Sequence, residues 1–328
     1  MNIGYVFYKV GKEIARPFKK IYNKLYKKIG IFFGFIEKPK KTRMTDFEVE
    51  NDRALFNSLN KDKDFIISKE FDYICKTEKY TNNAGSIDDE IGYFVQDIWG
   101  ARKVYKERMR RFFDSLESGP KDSIESSLRQ SSQKLKSFIH YDVGSRVDGF
   151  IAHLLTFNQN VCLIDIRPMS SMESNFLTNG GGGVNYIQAD ATNLENIADC
   201  SIESLSALCS VEHFGLGRYG DKIEPDAWEK ALKAFQRVLK PGGRLYFSVP
   251  VGQANKVCFN AHRVFKPEKI INALDKMDVV EMSYIYKLDT IMCYERVNGE
   301  LIVHKENLDS IPDLVNNGHT GLFEFVKK

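Results

Sequence analysis

The sequence predicts an α/β protein: a doubly wound, mostly parallel sheet of seven strands behind an N-terminal helical extension. Residues 237–250 read Arg-Val-Leu-Lys-Pro-Gly-Gly-Arg-Leu-Tyr-Phe-Ser-Val-Pro. An amphipathic helix ends at Leu239 and Lys240, Pro241 cannot continue it, and Gly242 or Gly243 supplies a left-handed exit. An apolar strand follows at once over residues 245–249 and stops at Pro250. A helix that turns so tightly into a buried strand belongs to a doubly wound sheet. The second observation is the texture of the chain from Ser137 onward, where apolar runs alternate with helical patterns.

The first strand is expected over residues 138–143 and its helix over 148–157. Strands follow at 161–165, 184–189 and 204–210. The helix 226–240 leads into the fifth strand at 244–249, the next helix spans 267–277, and the last strands lie at 279–287 and 321–326. The run Gly180-Gly181-Gly182-Gly183 precedes a strand and not a helix N-terminus, so it reads as a loop and not as a phosphate cradle.

Upstream, Ile91, Phe94, Val95, Ile98, Val104, Tyr105 and Met109 form one stripe of a helix expected over 88–113. Residues 44–85 read as short helices and loops, and 115–136 as a solvated helix or a connector broken at Pro120. The predicted division is therefore 1–43, a basic amphipathic segment; 44–136, a helical cap and connector; and 137–328, the α/β domain.

The first segment carries Lys9, Lys12, Arg16, Lys19, Lys20, Lys24, Lys27, Lys28, Lys38, Lys40, Lys41 and Arg43 against Glu13 and Glu37. Ile3, Phe7, Val10, Ile14, Phe18, Ile21, Leu25, Ile29 and Phe32 recur between them at helical steps, with Pro17 as a kink. Two readings fit: residues 1–36 lie in the plane of an anionic membrane surface, or they pack on the protein itself or on a second subunit.

The net charge of +3 over 328 residues gives no case for nucleic acid. The six cysteines are scattered without a CxxC pair, which points to a reducing compartment and to no structural metal. No apolar run approaches the roughly 18 residues that span a bilayer. The N-terminus lacks a signal peptide's apolar core, so a cytoplasmic protein, peripheral to the membrane at most, is expected. The sequence leaves the oligomeric state open.

Ligands of such sheets bind beyond the carboxyl ends of the strands, near the topological switch. Four strand ends carry suitable groups. Asp142-Val143-Gly144-Ser145-Arg146 follows the first strand, and Gly144 lets the backbone approach a ligand. Asp165-Ile166 follows the second, about 20 residues on, where a carboxylate accepts both hydroxyls of a ribose. Asp190-Ala191 follows the third, where a carboxylate can accept from an adenine amino group, and Glu212-His213 follows the fourth.

With the Leu-Lys-Pro-Gly-Gly turn in its place, this order resembles a class I S-adenosylmethionine-dependent methyltransferase over about residues 137–328. The resemblance implies S-adenosyl-L-methionine as cofactor, with Gly144 and Ser145 at its methionine part, Asp165 and Ile166 at the ribose and Asp190 and Ala191 at the adenine. Asp142 and Glu212 become strand-end positions around the same site. Arg146 stands where the family has small residues; it pairs with the cofactor carboxylate, blocks the pocket, or forms an internal ion pair with Asp148.

A narrower likeness covers about residues 85–328. Tyr93-Phe94-Val95-Gln96-Asp97-Ile98-Trp99, Glu212-His213-Phe214-Gly215-Leu216-Gly217-Arg218-Tyr219-Gly220-Asp221 and Phe259-Asn260-Ala261-His262-Arg263-Val264-Phe265 are similar to a methyltransferase-like family found among surface-polysaccharide genes. It implies a small-molecule or glycan acceptor methylated on oxygen. Base candidates are His213, His262 and Asp97, and substrate contacts fall to Gln96, Trp99, Arg218, Tyr219 and Arg263. Each has a plainer alternative: a pocket-shaping histidine, loop packing at His262 and Arg263, core packing at Trp99. The loop 215–221 reads as mobile enough to close over a substrate, or as a surface turn.

Two other functions fit the pattern less closely. A nicotinamide-dependent sugar enzyme needs better-spaced glycines than Gly144 and Gly149 provide. A non-catalytic relative at a membrane keeps the fold and explains the unusual first loop.

Overall fold

The computed structural model describes residues 43–76, 91–118, 124–145, 148–169, 183–287 and 289–328. The basic segment, with its expected membrane contact, and Arg146 lie outside these residues. The chain divides into residues 1–42 and 43–328, and the second unit is the one described below.

α1 (Asp46–Leu59) begins at a capping box, in which Thr45 Oγ1 accepts from Glu48 N and the Glu48 side chain accepts from Thr45 N. α2 (Ile91–Ser118) and α3 (Ile124–Ser137) precede the sheet. The core then runs β1 (Ile139–Val143), α4 (Gly149–Thr156), β2 (Asn160–Asp165), β3 (Val184–Gln188), β4 (Ile202–Leu208), α5 (Ala227–Val238) and β5 (Leu239–Val251). A two-stranded ribbon, β6 (Lys256–Cys258) and β7 (His262–Val264), leads to α6 (Pro267–Ala273). β8 (Met277–Tyr286), β9 (Asp289–Val297), β10 (Glu300–Val303), α7 (Lys305–Asp309) and β11 (His319–Lys327) complete the unit.

The main sheet has nine strands in the order β10-β9-β8-β11-β5-β4-β1-β2-β3, two more than the seven expected. β3, β2, β1, β4 and β5 are parallel, and β11 runs antiparallel between β5 and β8. Without the β9–β10 hairpin this is the strand order of the methyltransferase-type α/β fold. The chain steps outward from β1 to β3 and then returns to β4 on the other side of β1. The topological switch therefore lies between β1 and β4.

The Pro-Gly-Gly turn has a different form from the one expected. α5 closes at Leu239, which is already extended (φ −71°, ψ 135°). Leu239 pairs with Ile202 and Arg244 with Ser204, so residues 240–243 bulge out of the ladder with Gly242 at φ 75°. The left-handed glycine thus serves a bulge at the start of β5 and not the exit of the helix.

α5 lays Trp228, Ala231, Leu232 and Phe235 against the main core. α2 is tied across the sheet by Lys103, whose Nζ lies 2.6 Å from Glu281 Oε2 on β8 and 2.8 Å from Glu324 Oε2 on β11. α2 therefore belongs to the same unit as the sheet, and its N-terminal half is held over the β1/β4 edge.

Candidate active site

Above that edge lies a cavity of about 1260 Å³. Its floor is prepared by a buried polar chain. His140 on β1 sits between Ser204 Oγ and Ser206 Oγ of β4, at 2.8 Å from each. Burial pushes its pKa down to about 3, so the ring is neutral. The Ser206 hydroxyl donates to Asp142 Oδ1, and Asp142 Oδ2 accepts from Ser145 N at 3.3 Å. Asp142 is fully buried below the cavity, so it shapes the first loop and does not itself line the site.

Gly144 turns the loop at φ 90°, and its N–H donates to Ile164 O at 3.0 Å. A β-carbon there would lie 2.6 Å from Ser210 Cβ, so the backbones after β1 and β4 approach as only glycine permits. Asp148 then caps α4 by accepting from Ile151 N at 3.1 Å. Asp97 reaches in from α2: its Oδ2 lies 2.5 Å from where a Gly149 Cβ would stand.

Asp97, Asp142 and Asp148 are raised chiefly by burial, the first two to about 6. Each is raised further by a neighbouring carboxylate of the set or, for Asp97, lowered slightly by Gln96 and His153. Carboxyls held this way favour a cation beside them.

Asp165, Ile166, Asp190, Ala191, Gly144, Ser145, Gln96, Asp97, His213 and Tyr219 all line the cavity. Asp190 Oδ1 accepts from Thr192 N and Oγ1. Gln96 Oε1 accepts from Ser248 Oγ at 2.7 Å, which fixes its amide.

On the opposite wall, His213 Nδ1 lies 2.6 Å from Ala261 O, so Nδ1 carries the proton and Nε2, 3.5 Å from Glu212 Oε1, is left as the acceptor. Burial, then Arg218, holds its pKa well below the usual histidine value. Glu212 behind it is fully buried, with its carboxyl pushed up to about 8 by desolvation, so it is neutral at pH 7.

Besides Asp142, five expected residues do not line the cavity. Glu212 is sealed beneath His213. Trp99 points to the sheet and donates from Nε1 to Glu281 at 3.2 Å, so it is neither a lid nor a stacking face. Arg263 is fully buried and donates to the carbonyls of Glu212, Phe214 and Pro225; it builds the wall and does not touch substrate. His262 is buried on the β6–β7 ribbon, its pKa lowered to about 4 by burial, and lies outside the lining. Arg218 stands behind Tyr219, 5.1 Å from the ring, and donates to Ala261 O.

The loop 215–221 is a fixed platform and not a flap. Asp221 accepts from the N–H groups of Gly215, Gly217 and Tyr219, and Leu216 bridges to Ile223. Tyr219 is held edge-on to His213 at 5.3 Å.

Arg167, Ser210 and Tyr93 line the cavity without having been singled out as contacts. Arg167 stands two residues after the strand-end Asp165, a spacing at which a side chain returns to the same face.

A family described as "Caenorhabditis protein of unknown function, DUF268" matches residues 190–311. The chain is 42% identical over 76 residues to the ubiquinone/menaquinone biosynthesis C-methyltransferase UbiE of Haemophilus ducreyi. That match covers 21% of this chain, and the chain spans about a quarter of the relative's length (24%).

Similar solved structures include the 1,6-didemethyltoxoflavin-N1-methyltransferase of Burkholderia thailandensis with bound S-adenosylhomocysteine (TM-score 0.37, 16% identity, 58% of this chain and 71% of that one). A TehB-like SAM-dependent methyltransferase of Corynebacterium glutamicum gives 0.37, 13%, 58% and 80% in the same terms. The assignment of the fold rests on the strand order and not on likenesses at these scores.

Proposed function

We propose that the protein is an S-adenosylmethionine-dependent methyltransferase acting on an oxygen of a sugar or glycan precursor. The observation that carries this reading is the cavity at the β1/β4 switch, where Gly144, Asp165 and Asp190 converge from three strand ends. The residues present fit the cofactor. The close approach at Gly144 leaves backbone room, Asp165 stands for a ribose and Asp190 for an adenine amine, and the partly buried acids Asp97 and Asp148 suit a cationic amino-acid end.

When bound, S-adenosylmethionine supplies an electrophilic methyl group on a sulfonium. The chain's part is to align the acceptor, exclude water and take a proton. His213 lines the cavity with its ring fixed by Ala261 O, and its neutral Nε2, 3.5 Å from Glu212 Oε1, is the group assigned to receive the proton of the acceptor hydroxyl. The Tyr219 ring supplies a flat face beside it.

Incubation with methyl-labelled S-adenosylmethionine and nucleotide sugars tests the reading, with label expected on a sugar oxygen. H213Q should lower kcat by about 10²–10⁴-fold and leave S-adenosylhomocysteine affinity unchanged. Label on carbon or nitrogen would refute the oxygen acceptor.

Anionic membrane contact through residues 1–36 is proposed as well, supported by their alternation of lysine and apolar residues. Co-sedimentation with phosphatidylserine vesicles should disappear in a protein lacking this segment; equal pelleting of the truncated form would refute it.

A further inference from the structure

Asp165, the carboxylate expected to hold both ribose hydroxyls, has most of its acceptor capacity taken. Oδ1 accepts from the backbone N–H of Arg167 at 2.8 Å and from its Nε at 2.9 Å, and Oδ2 accepts from Nη2 at 2.6 Å. A carboxylate offers about four lone-pair sites, so one is left where two hydroxyls must donate. The backbone bond is fixed by the end of β2. The two guanidinium bonds belong to a side chain and can be exchanged.

Arg167 is only 9% exposed, and its Nη1 is buried with no hydrogen-bond partner among the described residues. The Tyr219 ring lies over the guanidinium, 5.0 Å from Cζ. Drawing Nε and Nη2 away from Asp165 would strand a buried cation, which costs several kcal/mol unless another anion replaces the carboxylate. The acids of the facing loop are committed: Asp221 to three backbone N–H groups, and Glu224 to Lys230 at 2.5 Å. An anionic group carried by a ligand can supply the replacement.

Resting on the methyl-transfer reading of this cavity, we propose that Arg167 is an exchangeable partner of Asp165. The cofactor's ribose displaces its guanidinium, which then pairs, beside Tyr219, with an anionic group (phosphate or carboxylate) carried by the acceptor. The acceptor class narrows to sugars or other small molecules bearing such a group. Cofactor and acceptor bind cooperatively, because the first ligand exposes the charge that the second one neutralises.

The test is calorimetric titration of the full chain with S-adenosylhomocysteine, in chloride and then in phosphate or acetate at constant ionic strength. R167Q should bind S-adenosylhomocysteine about tenfold more tightly than the wild type in chloride, an effect of about 1.4 kcal/mol. Phosphate or acetate should tighten binding to the wild type and have no effect on R167Q. A response to phosphate alone assigns a phosphorylated acceptor, and a response to acetate alone a carboxylated one.

Should R167Q fail to fold by circular dichroism, R167K serves in its place: it keeps the charge without the fork and should show a smaller gain in chloride. Weaker binding by R167Q would overturn the inference by making Arg167 a fixed support of Asp165, and so would an anion effect that persists in the variant. Absence of binding by both proteins would remove the cofactor reading itself, a result distinct from weaker binding by the variant alone.

Discussion

The two walls of the cavity spend their charged residues differently. On the wall made by β1, α4 and α2, Asp97 and Asp148 are partly buried acids with no ion pair to a Lys or Arg among the described residues, held above their usual pKa by desolvation. On the wall made by residues 210–225 and the β6–β7 ribbon, charge is consumed by backbone: Asp221 takes three N–H groups and Arg263 gives to three carbonyls. The first wall is left open to a cationic ligand, and the second is a rigid platform that presents His213 and Tyr219. Residues alike in the sequence, such as Asp97 and Asp221, thus have opposite duties, set by whether backbone donors reach them first.

The contrast breaks most visibly at Arg263. R263M leaves three carbonyls unmet in a fully buried site and should cost about 3–5 kcal/mol in chemical denaturation. A loss below about 1 kcal/mol would mean that the platform does not depend on it.

A smaller effect sharpens the first wall. The Asp97 carboxyl titrates at about 6, pushed up by burial. Below that pH it is protonated and must release its proton to meet a cationic amine. The affinity for S-adenosylhomocysteine should therefore rise with pH, by up to about tenfold per unit, and level off above about 6. D97N should bind at every pH about as weakly as the wild type does in acid, and an unchanged pH profile in D97N would place the cation elsewhere.

The strand ends were legible because each is a local pattern: an apolar run, then Gly144, Asp165, Asp190 or His213. Side-chain direction around them was not. Gln96 and Asp97 face the cavity, whereas Trp99 turns to Glu281 on β8, a partner 182 residues away that no helical period announces. Arg263 looks like a substrate contact from its position after β5, yet burial among three carbonyls is a tertiary fact.

The β9–β10 hairpin did leave a signal. Asn298-Gly299, with φ of 52° and 88°, is a two-residue turn of the primed kind between strands, and the alternation of strands with helices masks it. The stiffness of the loop 215–221 was hidden by its glycines, which suggest mobility until Asp221 is seen to bind their N–H groups.

The central claim is that the β1/β4 cavity is a cofactor site with Asp165 at the ribose. Calorimetric titration of the wild type and D165A with S-adenosylhomocysteine tests it most directly. Saturable binding to the wild type is expected, weakened about tenfold or more in D165A by the loss of two charge-assisted hydrogen bonds. No saturable binding by the wild type, or equal affinity in the two proteins, would contradict it.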